Sequence, residues 1–199
     1  MLPPRSDQYL SYVQHFLHSP STVATFLLLL ALSGLLALVC PRRRLQLLAA
    51  GVSASAVVAL TVVPAGGWTT FAVTADPVAA VRSALSLRPD DLLVWRAADG
   101  PANVALFVPL AWTLGLLLRR PAVAAVLGVV TSVAVESFQA ATGTRVGSAA
   151  DVVANGAGSV VGAAAAAATL LVCRLLPAAR VGFEPTERSP ARALSRRLH

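Results

Sequence analysis

Five apolar runs dominate the hydropathy pattern of the chain, and short polar or arginine-rich stretches separate them. In chain order they cover residues 22–40, 45–63, 101–118, 122–138 and 151–176. A run of about 17–25 apolar residues is long enough to cross a bilayer as a helix. The pattern therefore predicts an all-α fold, a polytopic membrane helix bundle of about five transmembrane helices, with residues 22–176 as the transmembrane domain.

The two ends of the chain differ from this domain in composition. Residues 1–21 are polar and aromatic, which predicts a short interfacial helix lying on the membrane surface. Residues 177–199 are rich in arginine and proline and carry few apolar side chains, so they predict a basic, disordered tail. We therefore expect one membrane domain with a polar segment at either end.

The long connection between the second and third runs carries a helix signal of its own. Asp76 followed by Pro77 is typical of an N-cap and a first-turn proline. Val78, Val81 and Leu85 then recur at helical spacing. We expect a short amphipathic helix that lies against the outer membrane face.

The arginines predict which way the bundle crosses the membrane. All sixteen basic residues are arginines, and most of them flank apolar runs. One side of the five-span arrangement collects eleven, at positions 42, 43, 44, 119, 120, 174, 180, 188, 192, 196 and 197, and the other side five. Because cytoplasmic loops are enriched in basic residues, the N-terminus is predicted outside and the C-terminal tail in the cytoplasm.

Composition narrows the class further. The chain is 56% hydrophobic with a mean hydropathy of +0.72, which predicts a multi-pass protein whose main partner is the lipid bilayer. The net charge of +7 could suggest nucleic-acid binding, but its distribution argues against that function, because the arginines cluster beside apolar runs and no basic stripe interleaved with aromatics appears on a soluble segment. The absence of lysine and the abundance of Ala, Val, Gly and Pro favour a bacterium with GC-rich codons. The multi-pass protein is then expected in the bacterial plasma membrane. Cys40 and Cys173 show no metal or redox spacing and are expected as free thiols.

Polar side chains gather at one end of the predicted bundle. They are Asp99 and Asn103 before and in the third run, Glu136 and Gln139 at the end of the fourth, Arg145 in the following turn, and Asp151 and Asn155 at the start of the fifth. Glu136 lies roughly 22 Å into its run at 1.5 Å per residue, within the hydrocarbon layer. An ionisable group there costs roughly 2.5–3.5 kcal/mol, which favours a functional role. These seven residues are the candidate ligand-binding site, with Glu136 and Asp151 as the candidate catalytic pair.

Spacing within the runs favours convergence of these side chains. Glu136 and Gln139 are three residues apart and share a helix face. A second shared face carries Asp151, Asn155, Gly158 and Gly162, and the two glycines form a GxxxG step that lets helix backbones approach closely. We therefore predict that the polar start of the fifth run continues into its packing seam.

A purely structural interpretation stays open beside the functional one. Glu136 and Arg145 would then be an ion pair that holds the turn, while Asp151 and Asp99 would be N-caps of their helices. Gln139 and Asn155, in turn, would supply hydrogen bonds between helices.

Two blocks of the sequence resemble the VanZ-like family of bacterial membrane proteins. The first runs from Asp99-Gly-Pro-Ala-Asn103 to Leu106-Phe-Val-Pro-Leu110, and departs from the family's frequent glycine at Ala111. The second combines these positions: Glu136-Ser-Phe-Gln139, Arg145, Asp151, Asn155, Gly158 and Gly162. The resemblance implies a cell-envelope protein, since the name-giving member is associated with low-level resistance to the glycopeptide teicoplanin.

Three functions are then compatible with the sequence. The leading one is a non-enzymatic envelope protein that alters how lipoglycopeptides or lipid-linked wall precursors engage the outer leaflet. The second is a membrane enzyme that uses paired carboxylates on a lipid-linked substrate. A transporter or assembly partner is the third, although no internal repeat supports a transporter. No motif predicts a metal or a cofactor, and the oligomeric state stays open.

Overall fold

The computed structural model describes residues 18–64, 67–93, 99–143 and 148–176, and these residues contain six α-helices and no strand. The helices are α1 (Pro20–Val39), α2 (Arg44–Thr61), α3 (Pro77–Ala84), α4 (Gly100–Leu118), α5 (Pro121–Thr142) and α6 (Ala149–Leu175). All except α3 are long and apolar enough to cross a membrane. The predicted all-α fold with five spans is confirmed. The predicted tail lies outside the described residues, as does nearly all of the predicted N-terminal surface helix.

Helix ends follow local chemistry that the sequence already carries. The helices α1, α3 and α5 each begin with a proline, whose missing N–H costs nothing in a first turn. The Asp76 carboxylate accepts a hydrogen bond from Ala79 N at 3.1 Å, so the predicted cap of α3 is confirmed. Gly143 ends α5 with φ of 63°, a left-handed conformation that glycine adopts without strain.

The fourth span is longer than predicted, because α5 continues to Thr142 instead of ending near residue 138. A contact distant in sequence supports the extra turn. The carbonyl oxygen of Ala141 accepts hydrogen bonds from Thr74 N at 2.8 Å and Ala75 N at 3.1 Å. The chain just before α3 therefore satisfies a carbonyl that the helix end leaves free.

The most extensive helix contact joins α4 and α6, and glycines form it. A β-carbon added at Gly158 would collide with the carbonyl oxygen of Val104, and one added at Gly162 with that of Val108. The two contacts advance in the same direction along both helices, so α4 and α6 run parallel. Their N-terminal ends therefore lie at the same end of the bundle.

The helices α5 and α6 run antiparallel through a second close contact. A β-carbon at Gly128 would overlap the Ser159 side chain, and one turn further on Asn155 Nδ2 donates to Ser132 Oγ at 2.9 Å. Numbering rises along α5 while it falls along α6, which gives the antiparallel direction. The C-terminal end of α5 thus meets the N-terminal end of α6.

The remaining two spans pack at one side of this core. Val57 of α2 is buried with Phe107 and Leu110 of α4. The first helix, α1, packs mainly against α2, and side chains such as Leu28 and Leu36 are exposed on its outer surface. In a bilayer, leucines exposed on a peripheral span contact lipid tails, with which they are as compatible as with a protein core.

Six of the eight described arginines lie at the end of the bundle opposite to the N-termini of α4 and α6; the other two, Arg82 and Arg88, lie in and after α3. Arg43, which precedes α2, donates from Nη1 to the Leu117 carbonyl at the C-terminal end of α4, at 3.2 Å. Arg119 and Arg120 follow α4 directly, and Arg174 lies in the last turn of α6. A cation near helix C-termini is favoured by the helix dipole. Which end faces the cytoplasm stays a prediction from the arginine distribution.

Candidate functional site

Helices α4, α5 and α6 bring predicted site residues together at one end of the bundle. Asn103 Nδ2 on α4 donates to Asp151 Oδ1 on α6 at 2.8 Å. The register set by Ser132 and Asn155 places Glu136 of α5 opposite Asp151, since each step of four residues up α5 matches four residues down α6. We call this region, which contains Asn103, Glu136, Asp151 and Asn155, the polar end.

Glu136 is a carboxylate enclosed by the bundle, with only 3% of its surface exposed. Its Oε2 accepts a hydrogen bond from Ser148 N at 3.0 Å. Ser148 is the N-cap of α6, and its hydroxyl accepts from Asp151 N at 3.3 Å. The Glu136 carboxylate therefore lies at the N-terminus of α6, where the helix dipole favours negative charge.

The predicted N-cap is wrong for Asp151, whereas Asp99 does lie at the N-cap position of its helix. Ser148 caps α6, and Asp151 lies three residues later, inside the first turn. Asp99 occupies the N-cap position of α4, but its side chain makes no capping hydrogen bond and is exposed. Serine takes the role at α6 because it lies at the chain reversal, where its hydroxyl reaches the free N–H groups.

Asn155 lies one helical turn deeper than Asp151 and is 2% exposed. Its Nδ2 donates to Ser132 Oγ, while its Oδ1 is buried without a hydrogen-bond partner among the described residues. Buried polar atoms are nearly always paired, so an unpaired one requires an explanation. Sequence reasoning missed Ser132 and Ser148, because a serine within or beside an apolar run gives no distinctive signal.

The Gln139 side chain contacts a different helix from the other candidates. It is 2% exposed, and its Nε2 donates to the Thr61 carbonyl at the end of α2, at 2.7 Å. This contact ties α5 to α2, as in the structural interpretation of Gln139. Arg145 lies outside the described residues, and so does the suggested Glu136–Arg145 pair.

The segment before and including α3 covers the C-terminal part of α5. Phe71 stacks on Phe138 with ring centroids 5.8 Å apart. Ala80 and Ala84 are buried where α3 packs on α5, whereas Val78 lies on its exposed apolar face. On the face that the sequence predicted to contact the membrane, the larger side chains Val78, Val81 and Leu85 are exposed.

The site's chemistry is that of hydrogen-bond acceptors and carboxylates. Within the described ranges, no group of three or more His, Cys, Asp or Glu residues is placed to hold a metal ion. The described cysteines, Cys40 and Cys173, are free and exposed. Two carboxylates with neighbouring amides can bind a polar ligand or exchange protons with one.

Five apolar spans around a buried polar end define a multi-pass helical membrane protein. The family model described as VanZ/LLP1 matches residues 52–172, from the middle of α2 to near the end of α6. The chain belongs to the VanZ/LLP1 family, which confirms the resemblance seen in the sequence. No curated protein and no solved structure matched the chain.

Proposed function

We propose that this VanZ-family membrane protein acts in the bacterial cell envelope, where it alters how lipoglycopeptides such as teicoplanin, or lipid-linked wall precursors, engage the outer leaflet. The polar end would be the binding pocket. One observation carries the proposal. Glu136 of α5 and Asn155 of α6 are both almost fully buried, and they lie with Asp151 at the interface between these two helices.

The energetics of burial support a functional pocket over a structural one. Removing a carboxylate from water costs several kcal/mol, as a general estimate, and apolar packing of equal volume is often as stable. The Ser148 N–H satisfies only part of the four or so acceptor positions of the Glu136 carboxylate. A ligand that contacts Glu136 would explain why the chain keeps a buried carboxylate despite this cost.

The direction of the pocket is also part of the proposal. By the positive-inside rule, the opposite end of the bundle, which carries the arginines, is expected on the cytoplasmic side. The polar end would then open to the outside, with the N-terminus out and the C-terminus in. Arg145, in the connection between α5 and α6, would contact a phosphate or carboxylate of the ligand. Asp99 and Asn103 would border the pocket, and Gln139 would border it through its side-chain oxygen, since its Nε2 is bonded to the Thr61 carbonyl of α2.

A membrane enzyme is the second candidate, and one observation favours it. Glu136 and Asp151 lie opposite each other on α5 and α6, with the Glu136 carboxylate bonded to Ser148 N and the Asp151 backbone N bonded to Ser148 Oγ. Paired carboxylates in different surroundings can serve as acid and base. If so, the purified protein will turn over a labelled lipid-linked substrate, and Glu136→Gln will abolish turnover while leaving binding in place.

The test of the leading candidate is teicoplanin susceptibility of a sensitive host at matched membrane levels. Wild type is expected to raise tolerance, and Glu136→Gln and Arg145→Gln are expected to lose the effect. Gln46→Ala is the control, because Gln46 is exposed at the arginine end. Full protection by both site variants would show that the polar end is structural. If wild type gives no protection, the glycopeptide part of the proposal is wrong.

A further inference from the structure

We infer that the polar end binds a primary ammonium group, and that an aminophospholipid headgroup supplies it. This inference rests on the proposed function, and it names the chemical class of ligand that the buried part of the site accepts. It follows from which hydrogen-bonding atoms of the site are already used and which are not.

The amide NH2 groups of the site each make one hydrogen bond within the bundle. Asn155 Nδ2 donates to Ser132 Oγ, and Asn103 Nδ2 donates to Asp151 Oδ1. Buried acceptor capacity stays unused at Asn155 Oδ1, which has no partner among the described residues, and on the rest of the Glu136 carboxylate. A ligand group that donates hydrogen bonds would satisfy these acceptors.

The charge and depth of the site select among donors. Glu136 and Ser132 are four residues apart on α5, so Glu136 and the Ser132-bonded Asn155 lie at adjacent levels of the same helix interface. A phosphate has only acceptor oxygens and would be repelled by the Glu136 carboxylate. A primary ammonium carries three N–H donors and a positive charge on a slender stem, which suits two buried acceptors one helical turn apart.

The test is a lipid competition on the full-length protein in nanodiscs. The discs contain equal amounts of phosphatidylethanolamine, phosphatidylcholine and phosphatidylglycerol with identical acyl chains, and native mass spectrometry measures the lipid retained. Ethanolamine offers charge and N–H donors, choline offers charge without N–H, and glycerol offers O–H without charge. Wild type is expected to retain phosphatidylethanolamine about tenfold over either of the others, since hydrogen bonds to charged groups are the strong ones.

Variants connect this preference to the named atoms. Asn155→Leu removes one of the two acceptors and is expected to lower the ethanolamine-to-choline ratio several-fold, while Asn155→Asp keeps an acceptor and the preference. Thr113→Val is the control for a buried polar-to-apolar change, because Thr113 bonds only to carbonyls of its own helix. A thermal melt identifies a variant that does not fold. If Asn155→Leu does not fold, the comparison of Asn155→Asp with wild type tests whether an acceptor at position 155 keeps the ethanolamine preference.

Two results would overturn the inference. Equal retention of all three lipids by wild type would mean that the chain itself satisfies Asn155 Oδ1. An ethanolamine preference that is undiminished in folded Asn155→Leu would place the ammonium elsewhere. The failure of the proposed function is separate, because protection against teicoplanin without an ethanolamine preference disproves only this inference. The preference without protection disproves only the glycopeptide role.

Discussion

The two interfaces of α6 differ in how they hold the same helix. Against α4 the contact is between backbones, with Gly158 under the Val104 carbonyl. Against α5 the contact becomes polar toward the polar end, from Ser132–Asn155 to Glu136 at the Ser148 cap. The first interface depends chiefly on the absence of side chains, with Asn103–Asp151 adding a hydrogen bond at the polar end, and the second depends chiefly on hydrogen bonds between side chains. The difference suggests that α4–α6 sets the geometry, while α5–α6 carries the chemistry.

Filling the glycine interface should have the largest effect. Gly158→Ala forces a methyl group into the Val104 carbonyl, and backbone cannot move aside as a flexible side chain can. We expect a loss of at least about 2 kcal/mol in the free energy of unfolding in detergent, in the range of overpacked cores. Gly34→Ala is the control, because a β-carbon there meets nothing within 4 Å. It should gain about 0.5–1 kcal/mol from helix propensity. Equal effects at both positions would refute the assignment of α4–α6 as the tight interface.

Breaking the polar interface on one side should cost less. Ser132→Ala leaves the buried Asn155 Nδ2 without its acceptor, which should cost about 1–3 kcal/mol. The double variant Ser132→Ala with Asn155→Leu removes both partners and should recover much of that loss. Additive losses in this double-mutant cycle, measured by denaturation, would show that the two side chains do not interact.

Replacing the buried carboxylate should separate function from stability. Glu136→Gln keeps an oxygen that can accept from Ser148 N, so the free energy of unfolding should change by less than about 1 kcal/mol. Protection against teicoplanin should nevertheless disappear. A large loss of stability with unchanged function per folded molecule would assign Glu136 to the architecture instead.

The smallest effect is expected from the one polar side-chain contact described between α4 and the far end of α6. Trp112 Nε1 donates to Thr169 Oγ1 at 3.2 Å on the exposed surface. Thr169→Val should cost only about 0.5 kcal/mol, near the average for interhelical hydrogen bonds in membranes. A loss as large as that of Ser132→Ala would erase the distinction between the two interfaces.

The sequence predicted what depends on local pattern and missed what depends on distant contacts. Run lengths gave the five spans, and the Asp76-Pro77 pair gave the start of α3. The extra turn of α5 needs Thr74 N, which lies far away in the sequence. No local rule distinguishes such a helix end from a turn.

The site shows the same division. The spacing of Glu136 and Asp151 around a short turn was enough to expect them near each other. Ser148 displaced Asp151 as the cap of α6, because a serine at the reversal competes for the same N–H groups. Gln139 contacts α2, a partner that helical periodicity within α5 cannot identify.

The most direct test of the account is the side of the membrane on which the polar end lies. Asp99→Cys and Gln46→Cys, each in a chain with Cys40→Ala and Cys173→Ala, place single thiols at exposed positions of opposite ends. A membrane-impermeant maleimide applied to intact spheroplasts should label the thiol at position 99, and the thiol at position 46 only after permeabilisation. The reverse pattern would place the polar end in the cytoplasm and contradict an outward-facing pocket.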